Sequence, residues 1–272
     1  MKPATADWTR ERTIADFGEQ WTEYPDNDGY YASDALFADL VEPLVQPSEF
    51  RGAKVADIGS GTGRIVAMLV RAGAAHVTAI EPSAAYDKLV GNTAALGEAV
   101  RCLRVGGEAL PLDLDLDWVV SFGVLHHIPD PDPVMKRALL ALRPGGRMLA
   151  WLYGQEGNEL YLSVVQPLRR LTARLPHFAL AALVGAVDIP LRGYLALARV
   201  APVPMHGYMR SHLGRLAPET RRLTIYDQLN PAYARYYTRA EACSLLERAG
   251  FVDVRLHHRH GYSWLVVGRR PG

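Results

Sequence analysis

Residues 54–64 read KVADIGSGTGR. A short apolar run, Val55, Ala56 and Ile58, carries one acid, Asp57. Glycines follow at every second position, Gly59, Gly61 and Gly63, and apolar residues resume from Ile65 to Val70. The pattern predicts a buried strand, a tight glycine loop and the first turns of a helix. Glycine reaches backbone angles that other residues resist, and it lets the chain approach a ligand with no Cβ in the way. The helix start offers free N–H groups and the positive end of its dipole. The loop is a candidate small-molecule site.

Strand and helix signals alternate downstream of it. Strands are expected over residues 76–80, 100–105, 118–124 and 147–153, with helices over 63–72, 84–96 and 133–142. Residues 155–237 carry no clear strand. The alternation resumes with a helix over 238–249, opened by the capping pair Thr238 and Glu241 and closed by Gly250. Strands over 252–258 and 263–268 are close enough for a hairpin, so the last should run antiparallel. Upstream, residues 7–45 read as largely helical, with Ile14, Phe17 and Trp21 on one face. The expected fold class is α/β. It is a Rossmann-like, seven-stranded, mostly parallel sheet with an antiparallel last strand and helices on both faces. A helical insert lies between strand five and the last helix. Residues 1–48 form an N-terminal helical cap, 49–154 and 238–272 the ligand-binding core, and 155–237 a substrate lid.

Composition bounds the function. The chain has 272 residues, 49% hydrophobic, with a net charge of +1. No global field recruits nucleic acid, and no nucleic-acid partner is expected. Two cysteines, Cys102 and Cys243, suit a reducing compartment. The polar start, MKPATADWTRERT, lacks a signal-peptide core. No apolar run approaches the roughly 18 residues of a span. A cytoplasmic protein with no stable membrane insertion is expected.

The glycine spacing discriminates among adenosyl ligands. Dinucleotide fingerprints read G-x-G-x-x-G, whereas this loop reads G-x-G-x-G with an acid two residues before it. An acid there repels a pyrophosphate and suits a ligand with an ammonium group. A phosphate-binding P-loop is excluded, because no Gly-Lys-Ser/Thr follows. VADIGSGTGR resembles motif I of class I S-adenosylmethionine-dependent methyltransferases. Glu81, after the second strand, resembles the acid that takes both ribose hydroxyls in that family. VSFGVLHHIPDPDPVMKRALLALRPGG is similar to the family's fourth and fifth motifs. The resemblance covers residues 50–153 and, less closely, 238–270.

The resemblance implies S-adenosyl-L-methionine as cofactor and a set of contacts for it. Asp57, Gly59, Ser60, Gly61 and Gly63 would hold the methionine moiety, with Glu81 and Pro82 at the ribose. Phe122 and Gly123 would line the cofactor. The family often has an acid at the adenine where this chain has Gly106, so either the backbone of Gly107 and Glu108 or the Glu108 side chain serves there. FGEQWTEY looks like a segment folded over the pocket. On that reading Phe17 and Trp21 roof the cofactor, and Gln20 and Tyr24 face the acceptor. The alternative is that Phe17 and Trp21 only pack a helix on the core.

His126 and His127 follow strand four, at the carboxyl edge where open α/β sheets bind ligands. His126 is favoured as a base or acceptor contact, and His127, in an H-I-P-D run, as a positional residue. Asn230-Pro231-Ala232-Tyr233 resembles the N-P-P-Y motif of nucleobase methylation but stands at the wrong place in the chain. No Cys/His spacing resembles a metal site, and no metal is expected.

The insert carries ten arginines against five acids, and apolar stretches over 178–187 and 191–203. It reads as an amphipathic lid with a solvated basic face, a pocket for an anionic amphiphile, or a homodimer interface. Tyr226, Tyr233, Tyr236 and Tyr237 crowd its end, and Tyr153, Tyr233 and Tyr237 are taken as substrate contacts. The expected activity is methyl transfer to a small-molecule acceptor, at oxygen. The alternatives are C- or N-methylation of an anionic isoprenoid or quinone-like acceptor, and a cofactor-binding partner without catalysis.

Overall fold

Val55, Ala56 and Ile58 lie at the middle of a sheet, because strand β1 (Lys54–Ile58) is paired on both edges and buried on both faces. A strand so placed reads as a continuous apolar run. In a computed structural model, which describes residues 6–24, 26–173 and 175–272, β1 pairs in parallel with β2 (His76–Ile80) and β4 (Leu116–Phe122). Beyond these lie β3 (Val100–Leu103) and β5 (Leu142–Tyr153), also parallel. A hairpin of β6 (Val252–Arg259) and β7 (Ser263–Arg269) completes the sheet, with β7 antiparallel to both β5 and β6. The order is β3-β2-β1-β4-β5-β7-β6. This is the seven-stranded, Rossmann-like α/β fold expected, with β7 as its one antiparallel strand.

Apolar layers cover both faces. One contains residues of α2 (Asp34–Val41) and α3 (Arg64–Arg71), including Phe37, Val66 and Leu69. The other contains α5 (Asp132–Ala141) and α10 (Arg239–Ala249), including Met135, Ala138 and Leu245. The expected helix over 84–96 is cut short. Helix α4 (Tyr86–Thr93) gives way to a 3₁₀ stretch, Ala94–Ala99, because Gly97 turns the chain to φ 56°. Strand β5 starts earlier than expected, since Leu142 already pairs with Leu116.

Two additions stand over the sheet's carboxyl edge. One is α1 (Ala6–Glu23). The other is the insert, with α6 (Glu159–Thr172), α7 (His177–Leu197), α8 (His206–Ser211) and α9 (Pro218–Leu229). Residues 1–5 of the expected cap and Arg174 lie outside the described residues. Helices α6 and α7 both pack on α9. The expected limit on apolar length needs correcting. The apolar helix does not end near Val187 but continues to Leu197, and its 21 residues suffice for a membrane span by length and composition.

The insert's arginines are largely structural. Arg221 donates to the covered Asp188 carboxylate at 2.7 and 3.3 Å, and Arg192 and Arg222 reach it from the flanks. The Arg221 hydrogen bond, aided by Arg192, holds the Asp188 carboxyl down at about 2. Asp188→Ala leaves Arg221 buried without its partner, so we expect a loss of about 3 kcal/mol in unfolding free energy, read by denaturant melting. Because the folded carboxyl titrates below its ordinary 3.8, this stabilisation is present above about pH 4 and fades toward pH 2.

Candidate active site

The glycine loop turns because its three glycines all take left-handed angles: φ is 75° at Gly59, 53° at Gly61 and 87° at Gly63. The amides of Gly59 and Ser60 both donate to the Ile80 carbonyl, at 2.8 and 2.9 Å, which ties the loop to the end of β2. There Glu81 receives the Gly61 amide on one oxygen at 2.8 Å and the Ser83 amide on the other at 2.9 Å. Each oxygen keeps a lone pair for a ligand. The loop after β1 meets the loop after β4, where the strand order reverses and open α/β sheets bind ligands.

A cavity of about 310 Å³ lies above these loops. Its floor includes Gly59, Ser60, Gly61, Glu81 and Pro82. Gly107, Glu108, Phe122, Gly123, His127 and Tyr153 continue the wall. Phe17 and Trp21 close it from α1. A Cβ on Gly61 would stand 3.5 Å from the Trp21 indole, so the ring lies on the loop. Arg10 of α1 forms an ion pair with Glu108, which makes Glu108 a latch for the roof rather than a free loop residue. The roof is fastened elsewhere too. Asn230 donates to the Asp16 carbonyl at 3.0 Å, and the Ala232 amide to the Asp16 carboxylate at 3.1 Å. The N-P-A-Y stretch is thus an anchor for α1.

Several expected contacts lie elsewhere. Asp57 is 1% exposed beneath the loop and off the cavity wall. Burial lifts its carboxyl to about 7 against a hydrogen bond from Ser60, and Oδ2 has no partner. Gly63 serves the start of α3 and packs against Thr93. Gln20 is buried between Asp227 and Asn230. Tyr24 packs on Tyr226 of the insert. Tyr233 offers only its carbonyl, to His127, and Tyr237 is core.

The histidines exchange places. His126, the favoured base, is fully buried and stacked behind Tyr153, with centroids 3.7 Å apart. Burial drives its pKa well below the ordinary value. His127 is the one on the wall. Its Nδ1 lies 2.8 Å from the Tyr233 carbonyl, which requires Nδ1–H as donor and leaves Nε2 as an unpartnered acceptor. Burial lowers the His127 pKa to about 4.

The far wall is a polar network that the sequence did not disclose. The Tyr153 hydroxyl donates to Asp227 at 2.7 Å. Gln20 donates to the other Asp227 oxygen at 3.1 Å. Gln228 donates to the Tyr153 oxygen at 2.9 Å and accepts from Tyr161 at 2.7 Å. Arg169 donates to Tyr236 at 2.9 Å, behind the wall. Burial and the Asp227 charge hold the Tyr153 phenol well above its ordinary pKa, so it stays a donor. Tyr236, not its neighbour Tyr237, reaches the cavity, since successive residues of an extended segment point opposite ways. None of the described insert arginines lines the cavity, which corrects the reading of an arginine-walled anion pocket.

Comparison with known proteins agrees with this geometry. Residues 56–150 match the family described as methyltransferase domain. A tRNA U34 carboxymethyltransferase of Chromohalobacter salexigens is 36% identical over 126 residues, covering 43% of this chain and 37% of that protein. An uncharacterized methyltransferase of Mycobacteroides abscessus is 30% identical over 133 residues, covering 46% of this chain and 51% of that protein. The chain thus spans only about a third to a half of the length of these curated relatives. Among solved structures, the 1,6-didemethyltoxoflavin-N1-methyltransferase of Burkholderia thailandensis superposes with a TM-score of 0.58 at 17% identity, covering 100% of this chain and 93% of that one. The loop, the acid after β2 and the wall suit S-adenosyl-L-methionine: backbone without Cβ at the floor, free carboxylate lone pairs beside it, and an orphaned buried acid below. Residues 56–150 thus carry a methyltransferase domain, on a fold shared with S-adenosylmethionine-dependent methyltransferases of known structure.

Proposed function

We propose that the protein transfers a methyl group to an oxygen of a small-molecule acceptor held against Tyr153, Asp227 and His127. The observation that carries this reading is one cavity with Glu81 and the glycine loop on one side and the Tyr153–Asp227 pair on the other. When bound, S-adenosyl-L-methionine supplies an electrophilic methyl group on a sulfonium, a good leaving group. The chain's work is then mostly positioning, which alone accounts for large accelerations. Glu81 orients the ribose, the Arg10–Glu108 latch closes the adenine end, and the Trp21 roof excludes water. Asp227 receives hydrogen-bond donors, which suits an acceptor hydroxyl. His127 lines the same cavity with Nε2 buried and unpartnered, the lone pair that would take the proton of a bound acceptor.

Two observations support a small molecule over tRNA: α1 covers the floor through Phe17 and Trp21, and Arg192, Arg221, Arg222 and Arg235 are engaged in ion pairs. A cytoplasmic setting is part of the proposal, since Cys102 and Cys243 are both free.

Titration calorimetry with S-adenosyl-L-methionine tests the cofactor seat. Glu81→Gln sets an NH₂ group against a backbone N–H, so affinity should fall about tenfold. Unchanged affinity would remove the seat. A labelled methyl donor offered with metabolite pools then tests transfer, by acceptor-dependent release of S-adenosylhomocysteine.

The pH profile tests His127. Its base form persists down to about pH 4, so the acid limb of kcat/KM should fall near pH 4, and His127→Gln should remove it. A limb near the ordinary 6.5 that His127→Gln removes would contradict the placement, whereas one that survives it belongs to Asp57, whose carboxyl is lifted to about 7. The same depression makes the unfolded chain bind protons first, so stability should decline as pH falls from about 6.5 to 4.

A further inference from the structure

We propose that the outer face of the insert docks on a bilayer surface carrying anionic head groups. The described residues include fifteen exposed large hydrophobics, and ten of them fall between Val164 and Met205. On α6, Val164, Leu168 and Leu171 recur at spacings of four and three and so form one stripe. Leu175 extends it into the turn before α7.

There Phe178 is 76% exposed, Ile189 70%, and Val200, just past the helix, 84%. Ala182 and Ala196 are exposed between them. The opposite face of α7 is also apolar, with Leu180, Val184 and Leu195 buried. A helix apolar all round belongs in a core or against lipid. This one lies in neither along its outer face. The buried Asp188–Arg221 pair fastens α7 to α9, so it is placed to lie along a surface rather than to cross it.

Charge selects the partner. Between Leu160 and Pro218 the only acid is Asp188, and it is covered. Arg170 and Arg199 stand beside Leu171 and Val200, exposed and without ion pairs among the described residues. A second copy meeting this face across a two-fold axis would bring the same arginines together. An anionic lipid surface instead complements them while its acyl boundary accepts the apolar stripe. Patches of this kind on a monomer mark interaction sites.

The test is co-sedimentation of the full chain with two vesicle types: phosphatidylcholine mixed with phosphatidylglycerol, and phosphatidylcholine alone. Binding to the mixed vesicles should weaken as salt is raised, and the neutral vesicles should bind at least about tenfold less. Phe178→Glu with Ile189→Glu and Val200→Glu should abolish sedimentation while leaving the melting temperature unchanged. Should that variant misfold, Arg170→Gln with Arg199→Gln touches only exposed positions and should weaken binding about fivefold per arginine. No binding to either vesicle, equal binding to both, or binding unaffected by either variant would overturn the proposal. So would a stable dimer in solution that the triple variant dissociates.

Discussion

Gly59→Ala should weaken S-adenosyl-L-methionine binding by about 10²–10³-fold. The backbone at Gly59 sits at φ 75°, a left-handed angle that costs an alanine about 1–2 kcal/mol. The added methyl group also has no room. It would lie 2.4 and 2.8 Å from the two γ-carbons of Val124. Val124 cannot retreat freely, because its carbonyl receives the His127 amide at 2.8 Å and so shapes the turn that presents His127. Relief of such overpacking costs about 1–3 kcal/mol more. Either the glycine loop lifts into the cavity or the loop after β4 withdraws, and both form its wall. Calorimetry reads the affinity, and a melting curve shows that the fold persists. Gly91→Ala is the control. It lies on α4 with open space around it, and it should leave affinity intact while raising stability by about 0.5–1 kcal/mol. Affinity within threefold of the unsubstituted protein in Gly59→Ala would mean that the loop is not the cofactor's seat.

What sequence discloses here follows chain locality. The glycine spacing, Asp57 and Glu81 lie within 25 residues of one another on two adjacent strands, and each has a backbone reason to be where it is. Their placement at one sheet edge follows from the alternation alone. The seven strands are legible for the same reason, down to the antiparallel last one, since a short hairpin admits no other direction. The far wall is different. Asp227 and Gln228 are two polar residues in an ordinary helix, and nothing local distinguishes them from a solvated face. They matter because α9 crosses Tyr153 and Gln20, partners 74 and 207 residues away. The histidines show the same limit. Both were visible after strand four, but which one faces the cavity depends on Tyr153, which covers His126 by stacking, and on the Tyr233 carbonyl, which turns His127. The insert's arginine count was legible too. Its meaning was not, because Asp188 gathers three of them away from the cavity.

Asp227→Ala should then be costly out of proportion to its chemistry, because this carboxylate joins three parts of the chain that are far apart in sequence. It receives Gln20 from the α1 roof and Tyr153 from the end of β5, and it stands on α9 of the insert. Removing it leaves a buried amide and a phenol without their acceptor. Hydrogen bonds to a charged group contribute about 1.5–3 kcal/mol each, so a loss of about 3 kcal/mol in stability is expected, or roughly 10 °C in melting temperature for a chain of this size. The roof keeps its ties through Asp16 and Arg10. Cofactor affinity should therefore fall less than about tenfold, below the tenfold step that one good hydrogen bond represents. Methyl transfer should suffer more, by at least about 10²-fold in kcat/KM, because the acceptor wall loses its registration and small misplacements carry that penalty. Tyr153→Phe provides the second arm. If the two residues act as a pair, the double variant should be little worse than Asp227→Ala alone, a coupling above about 1 kcal/mol. Additive losses would instead make Tyr153 and Asp227 independent, and the acceptor would have to be sought against the other aromatic walls of the cavity.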